Sequence, residues 1–202
     1  MDEMDATAPA DLAALLGSRI CHDLVNPLGA LANGLELLAM EDPRLADLAG
    51  LLGDSLTAAT VRVQFFRIAF GTAPAERMPE AQIRQFIDDY TRGKRLKIAW
   101  QAAGDRARGD MRMVFLMLLC LETAMPRGGE ITIEDQAHRL IVTARANDMR
   151  HGDQLWQALT GAAPLPQVTP ALVQFALAHA AIQTFARPVV IDLMPGAAQI
   201  VI

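Results

Sequence analysis

The chain has 202 residues, 52% of them hydrophobic and 20% charged, a balance that suits folded domains and excludes a largely disordered chain. A formal charge of −5 excludes general nucleic-acid binding, because phosphate backbones are held by an excess of Lys and Arg. The most apolar run, residues 113–125, is 13 residues long, short of the roughly 20 that span a bilayer, and reads as a buried helix rather than a membrane anchor.

In chain order, Thr7 and Pro9 open a helical pattern that continues to Met40. Asp42-Pro43, a capping residue followed by a first-turn proline, starts a second helix that Gly71 closes. Two long helices joined by so short a turn are forced antiparallel, as a hairpin about 45 Å long at 1.5 Å per residue. Cys21, Leu24, Leu28, Leu31, Leu35 and Leu38 repeat in steps of three and four on the first helix. Leu45, Leu48, Leu52, Leu56, Ala59, Val63, Phe66 and Phe70 do the same on the second, and both stripes have coiled-coil spacing. Two helices alone bury such stripes only in part. The economical solution is a homodimer that completes a four-helix bundle, and the alternative is a hairpin packed on its own C-terminal half.

The stretch GTAPAERM, residues 71–78, reads as a linker. Beyond it, Pro79 to Arg92 is a short helix ended by Gly93, RLKIAWQ alternates like a strand, and Asp110 to Met125 is the buried helix. EITIE and HRLIVTARA follow as strands. Gln154 to Leu159 is a short helix, Pro170 to Phe185 a longer one capped by Thr169, and PVVIDL and AQIVI flank a turn at residues 194–197. The expected fold class is α+β: a helical hairpin over residues 1–72, forming a four-helix bundle on dimerisation, and a two-layer α/β sandwich over 79–202. Cys21 and Cys120 both fall in apolar helices with no cleavable leader before them, which fits a reducing cytoplasm.

One histidine breaks the pattern of the first helix. With residues placed every 100° and Leu24 at zero, Ile20, Leu28, Leu31, Leu35 and Leu38 fall within about 40°, whereas His22 lies at about 160°. Ser18, Asn26, Gly29 and Asn33 share its side and Arg19 is near, so His22 is expected to be exposed in a small, polar landing area. Pro27 in mid-helix removes the bond to the Asp23 carbonyl and costs roughly 3 kcal/mol, a cost that points to function. Asp23 can hydrogen-bond the imidazole or accept its proton, and a neutral imidazole with one free nitrogen is a nucleophile near neutral pH.

The run His22-Asp23-Leu24-Val25-Asn26-Pro27-Leu28 resembles the H-box of two-component histidine kinases, H-[DE]-x-x-[NT]-P, whose histidine takes a phosphoryl group. SRICHDLVNPLGALANGLELL is closer still to the ChpT-type histidine phosphotransferases of alphaproteobacteria, and the similarity covers essentially the whole chain. That resemblance implies a dimeric helical hairpin followed by a degenerate ATPase-like domain, with His22 as phospho-acceptor and Asp23 and Asn26 as its motif neighbours. It implies a relay from the receiver aspartate of a hybrid histidine kinase to response regulators. The receiver would bring the opposing aspartate and Mg²⁺, and the chain would need no cofactor of its own.

A kinase is the rival reading. The PRGG turn after the buried helix resembles the segment after a kinase N-box, but the positions matching its two asparagines are Leu116 and Cys120, neither a hard oxygen ligand for magnesium. Asp148 could stand for the next motif's aspartate, without that motif's glycines. No glycine-rich phosphate loop precedes the Pro170 helix. A second rival, a non-catalytic dimeric scaffold, would use the same helical face to bind receivers without transfer. His138, His151 and His179 lack metal-ligand spacing, and Arg19, Arg62 and Arg67 are the cations able to meet an acidic receiver or a phosphoryl oxygen.

Overall fold

The computed structural model describes residues 9–71, 76–151, 153–185 and 187–202. The chain divides into two compact units, Met1–Thr72 and Ala73–Ile202.

The first unit is a helical hairpin. Helix α1 (Pro9–Glu41) is 33 residues long and runs unbroken through Pro27; the Thr7 expected at its start lies outside the described residues. A 3₁₀ turn (Pro43–Leu45) leads into α2 (Ala46–Phe70). Asp42 accepts from the Arg44 backbone N–H at 3.0 Å and from the Arg44 guanidinium at 2.9 and 2.8 Å, which fixes this tight connection.

The seam between the two helices is rotated from the leucine-centred stripe. On α1 the buried or half-buried positions with described burial are Ala14, Gly17, Ser18, Cys21, Val25, Leu28, Ala32, Leu35 and Ala39. Small residues recur every turn there, so the backbones approach closely, and a Cβ on Gly17 would sit 3.3 Å from that of Phe70. Leu28 and Leu35 keep their place in the seam. Leu24, Leu31 and Leu38 instead stand 46%, 59% and 41% exposed, and Ile20, Leu48 and Leu52 are exposed with them.

The second unit has helices on one face of a mixed sheet. Its strands β2 (Leu96–Trp100), β4 (Gly129–Gln136), β5 (Arg139–Arg145), β6 (Val190–Met194) and β7 (Ala197–Val201) are ordered β2-β4-β5-β7-β6. The β2–β4 pair is parallel, joined by the helix α4 (Arg108–Ala124), and the remaining pairs are antiparallel. Two further strands, β1 (Arg77–Met78) and β3 (Arg106–Ala107), pair with each other on their own.

Alternation explains which face is covered. Leu96, Ile98, Trp100, Ile131, Ile133, Leu140, Val142, Ala144, Ala198 and Ile200 are all buried, and the register sets Ile133 opposite Val142 and Val142 opposite Ile200. Their alternates, such as Lys97, Glu130 and Glu134, face solvent. Helix α4 supplies the other half of the core, with every residue from Met113 to Leu121 buried. At about 1.5–3 kcal/mol per buried large side chain it is the main stabilising element of the unit. Helix α3 (Glu80–Thr91) packs on β2, and α6 (Val173–Thr184) packs on α4. Helix α5 (Gln154–Leu159) is capped by Asp153, which accepts from the N–H groups of Leu155 and Trp156, and Trp156 meets Phe175 of α6 edge-on at 5.6 Å.

The expected elements differ from the observed ones at a few ends. The helix expected from Pro170 opens as a 3₁₀ turn (Pro170–Leu172), and Thr169 makes no side-chain capping bond. His138, expected in a strand, sits with Ala137 in the two-residue loop between β4 and β5. Both adopt the left-handed conformation, φ 49° for Ala137 and 64° for His138, which a hairpin turn of this length demands.

Candidate functional site

Helix α1 places His22 in open solvent, with its side chain 66% exposed. The face around it carries small or polar groups: Asn26, Gly29 and Asn33 are exposed, Ser18 is half-buried, and a Cβ built on Gly29 would meet nothing within 4 Å. The exposed Leu24, Leu31 and Leu38 lie on the other side of the helix.

Two neighbours give the ring its orientation. The Asp23 carboxylate has Oδ1 3.3 Å from His22 Nδ1, while its Oδ2 accepts from Arg19 Nε at 2.8 Å. The hydrogen bond to His22, and next that from Arg19, hold the Asp23 carboxyl below the usual carboxylate range. An ionised carboxylate has no proton to give. In the neutral ring Nδ1 is therefore the donor and Nε2 keeps a lone pair directed away from Asp23. Such a nitrogen, unencumbered and exposed, can attack phosphorus.

Asn26 lies one helical turn beyond His22 on the same face, and of the three motif residues the structure ties together His22 and Asp23. Arg19 enters through the i, i+4 spacing that brings helical side chains into register. Of the other two arginines on the hairpin, Arg62 sits with its guanidinium carbon 5.3 Å over the Phe66 ring, and Arg67 is half-buried close enough to Cys21 to act on its thiol. Burial pushes that thiol up more than Arg67 draws it down, so Cys21 stays an inert packing group beside the histidine.

Comparison with known proteins identifies the second unit as well as the first. The family model for the histidine phosphotransferase C-terminal domain matches residues 80–194. The protein phosphotransferase ChpT of Brucella abortus (strain 2308) is 34% identical over 161 residues, 76% of this chain and 77% of that protein. The chain belongs to the histidine phosphotransferase family. A bacterial phosphotransferase solved at 1.7 Å covers 97% of each chain at 27% identity with a TM-score of 0.68. This histidine phosphotransferase is accordingly a phosphotransfer protein of two-component signalling.

The PRGG turn of the phosphotransferase lines an open cavity together with Asp148. Gly128 has φ +87°, and a Cβ there would come within 2.5 Å of the Arg95 carbonyl oxygen, so the turn requires glycine. Leu116 and Cys120 are fully buried in α4, and desolvation raises the Cys120 thiol far above its ordinary range. Asp148 is engaged by Arg127 at 3.5 Å and Arg150 at 3.4 Å. These three residues stand in a packed core and a salt-bridged loop.

The remaining histidines of the phosphotransferase are dispersed. His138 lies in the β4–β5 turn, His151 donates from Nε2 to the Met194 carbonyl at 2.8 Å, and His179 is half-buried on α6. Among the described residues no group of three or more His, Cys, Asp and Glu is arranged to hold a metal ion, and no helix is long and apolar enough to cross a membrane.

Proposed function

We propose that His22 is the phospho-accepting residue of a relay: it takes a phosphoryl group from the receiver aspartate of a hybrid histidine kinase and passes it to the aspartate of a response regulator. The observation that carries this reading is the exposed ring with Nδ1 at 3.3 Å from the Asp23 carboxylate, which leaves Nε2 as the outward nucleophile. Asp23 orients the ring, and Asn26 belongs to the face on which the receiver lands. Transfer needs in-line approach of the acceptor nitrogen and the donor carboxylate, with charge on the travelling group neutralised by Mg²⁺ held in the receiver. This chain contributes position and exposure.

The same reading makes the protein a cytoplasmic homodimer. Leucines at 46%, 59% and 41% exposure along one side of α1, with Leu48 and Leu52 on α2 at 55% and 46%, form an apolar ridge that a second hairpin would cover as a four-helix bundle. His22 is on the opposite side of α1 and stays open to receivers in such a dimer. The second unit supplies additional surface with which partners are told apart.

The test is phosphotransfer with purified receiver domains. The His22→Ala variant should neither accept nor donate phosphate, with circular dichroism and oligomeric state unchanged, since an exposed side chain takes no part in packing. Transfer at the wild-type rate in that variant would remove His22 from the reaction.

A further inference from the structure

Arg19 stands outside the H-box pattern, yet it completes a chain of contacts to the reacting nitrogen. Its Nε donates to Asp23 Oδ2 at 2.8 Å, and the other oxygen of that carboxylate faces His22 Nδ1 at 3.3 Å. We infer that Arg19 is a positioning residue for phosphotransfer: by fixing the Asp23 carboxylate it keeps the ring proton of His22 on Nδ1 and the lone pair on Nε2. This inference rests on His22 being the acceptor.

The physical argument begins with exposure. Asp23 is 49% exposed, so without a second anchor its carboxylate would exchange freely between the ring and water. Arg19, one turn earlier on α1, occupies one oxygen and thereby aims the other at the imidazole. Arg19 also has an effect on proton position. Its hydrogen bond helps hold the Asp23 carboxyl below the usual carboxylate range, which makes Asp23 an acceptor of the ring N–H and a poor base toward it.

That distinction matters for a shuttle, which must both load and unload. On loading, neutral Nε2 attacks phosphorus, an N–P bond forms, and the P–O bond to the donor aspartate breaks with its electron pair leaving on the carboxylate. The ring keeps its Nδ1 proton and gains positive charge, which faces the Asp23 carboxylate. On unloading, the N–P electron pair returns to a ring that still bears Nδ1–H, so the leaving group is neutral imidazole. Were Asp23 to remove the proton, the leaving group would be an imidazolide anion and the phosphoryl group would be stranded. Arg19 keeps the step reversible.

The experiment uses the full chain with ¹⁵N-labelled histidine, and phosphoramidate as the phosphoryl donor. The P–N bond of that donor breaks as the His22 bond forms, and its nitrogen leaves as ammonia. Long-range ¹H–¹⁵N spectra report the ring tautomer, and ³¹P spectra report loading. In the wild type Nδ1 should carry the proton. Arg19→Ala should show both tautomers and load about two- to tenfold more slowly, the range for losing one hydrogen bond that is open to solvent. Arg19→Lys should lie between the two. A wild-type tautomer signal and loading rate in Arg19→Ala would overturn the inference, because a purely structural contribution to the helix would leave the tautomer unmoved. Loading of His22→Ala would instead overturn the assignment of His22, so the two failures are distinguishable.

Discussion

Replacing both Leu24 and Leu31 by alanine should dissociate the proposed dimer while leaving each hairpin folded. The two side chains are 46% and 59% exposed in the single chain. Full burial of a leucine is worth about 1.5–3 kcal/mol, so covering the exposed half of each contributes about 1 kcal/mol. A two-fold axis repeats every contact. The double variant therefore loses about 4 kcal/mol per dimer, roughly a thousandfold in dissociation constant. Alanine has the highest helix propensity, and the seam between α1 and α2 runs along Ala14, Cys21, Val25, Leu28 and Leu35, so the hairpin itself should persist. Sedimentation velocity over a concentration series, with circular dichroism as a control for folding, measures the shift. A dissociation constant within tenfold of the wild type would show that the ridge is not the interface.

Three further outcomes are expected. Gly29→Trp, at a position where an added Cβ meets nothing within 4 Å, should slow transfer from every receiver domain while loading from phosphoramidate stays within a factor of about two, because bulk on the landing face obstructs only a large donor; equal slowing of both donors would argue against the landing face. Ala137→Asn combined with His138→Gly should stabilise the second unit by about 1 kcal/mol, or roughly 3–6 °C in melting temperature by calorimetry, since Ala137 and His138 are held at φ 49° and 64° in a turn that favours Asn-Gly. In a ¹³C titration Asp23 should keep its charge to below the usual value of about 3.9, and Arg19→Ala should move that midpoint upward. Because the folded carboxyl is the stronger acid, its contribution to stability is present above the unfolded value and is lost as pH falls through the folded one.

Much of this could be read from the residues alone, and the gaps have identifiable causes. Long periodic stretches locate α1, α2 and α4, and alternation locates β2, β4 and β5. Hydrophobicity marked the leucines of α1, but which flank of a broad apolar face turns inward was decided by Ala14, Ala32 and Ala39, whose small size lets α2 approach and which a leucine-centred pattern passes over. The strands Arg77–Met78 and Arg106–Ala107 are two residues each, too short for any period, and exist only because the chain brings them together. The Ala137-His138 turn carries no glycine or asparagine to announce it. His22 and Asp23 were legible from their motif and helical phase. The clamp by Arg19 was available from its four-residue spacing to Asp23, a signal that the motif itself does not contain.

The sheet order has a consequence for synthesis. Strand β7 lies between β5 and β6, although it is the last of the seven to emerge from the ribosome. From Arg145 to Ala197 some 52 residues must be added, about 3–10 s at ordinary elongation rates, during which β5 has an open edge and Val142 lacks Ile200 as its neighbour. A nascent chain in that interval presents a half-built apolar surface with one free strand edge. Slowing translation within residues 146–196 should therefore lengthen the window for chaperone capture or aggregation, whereas a pause placed before β4 would leave no such edge waiting.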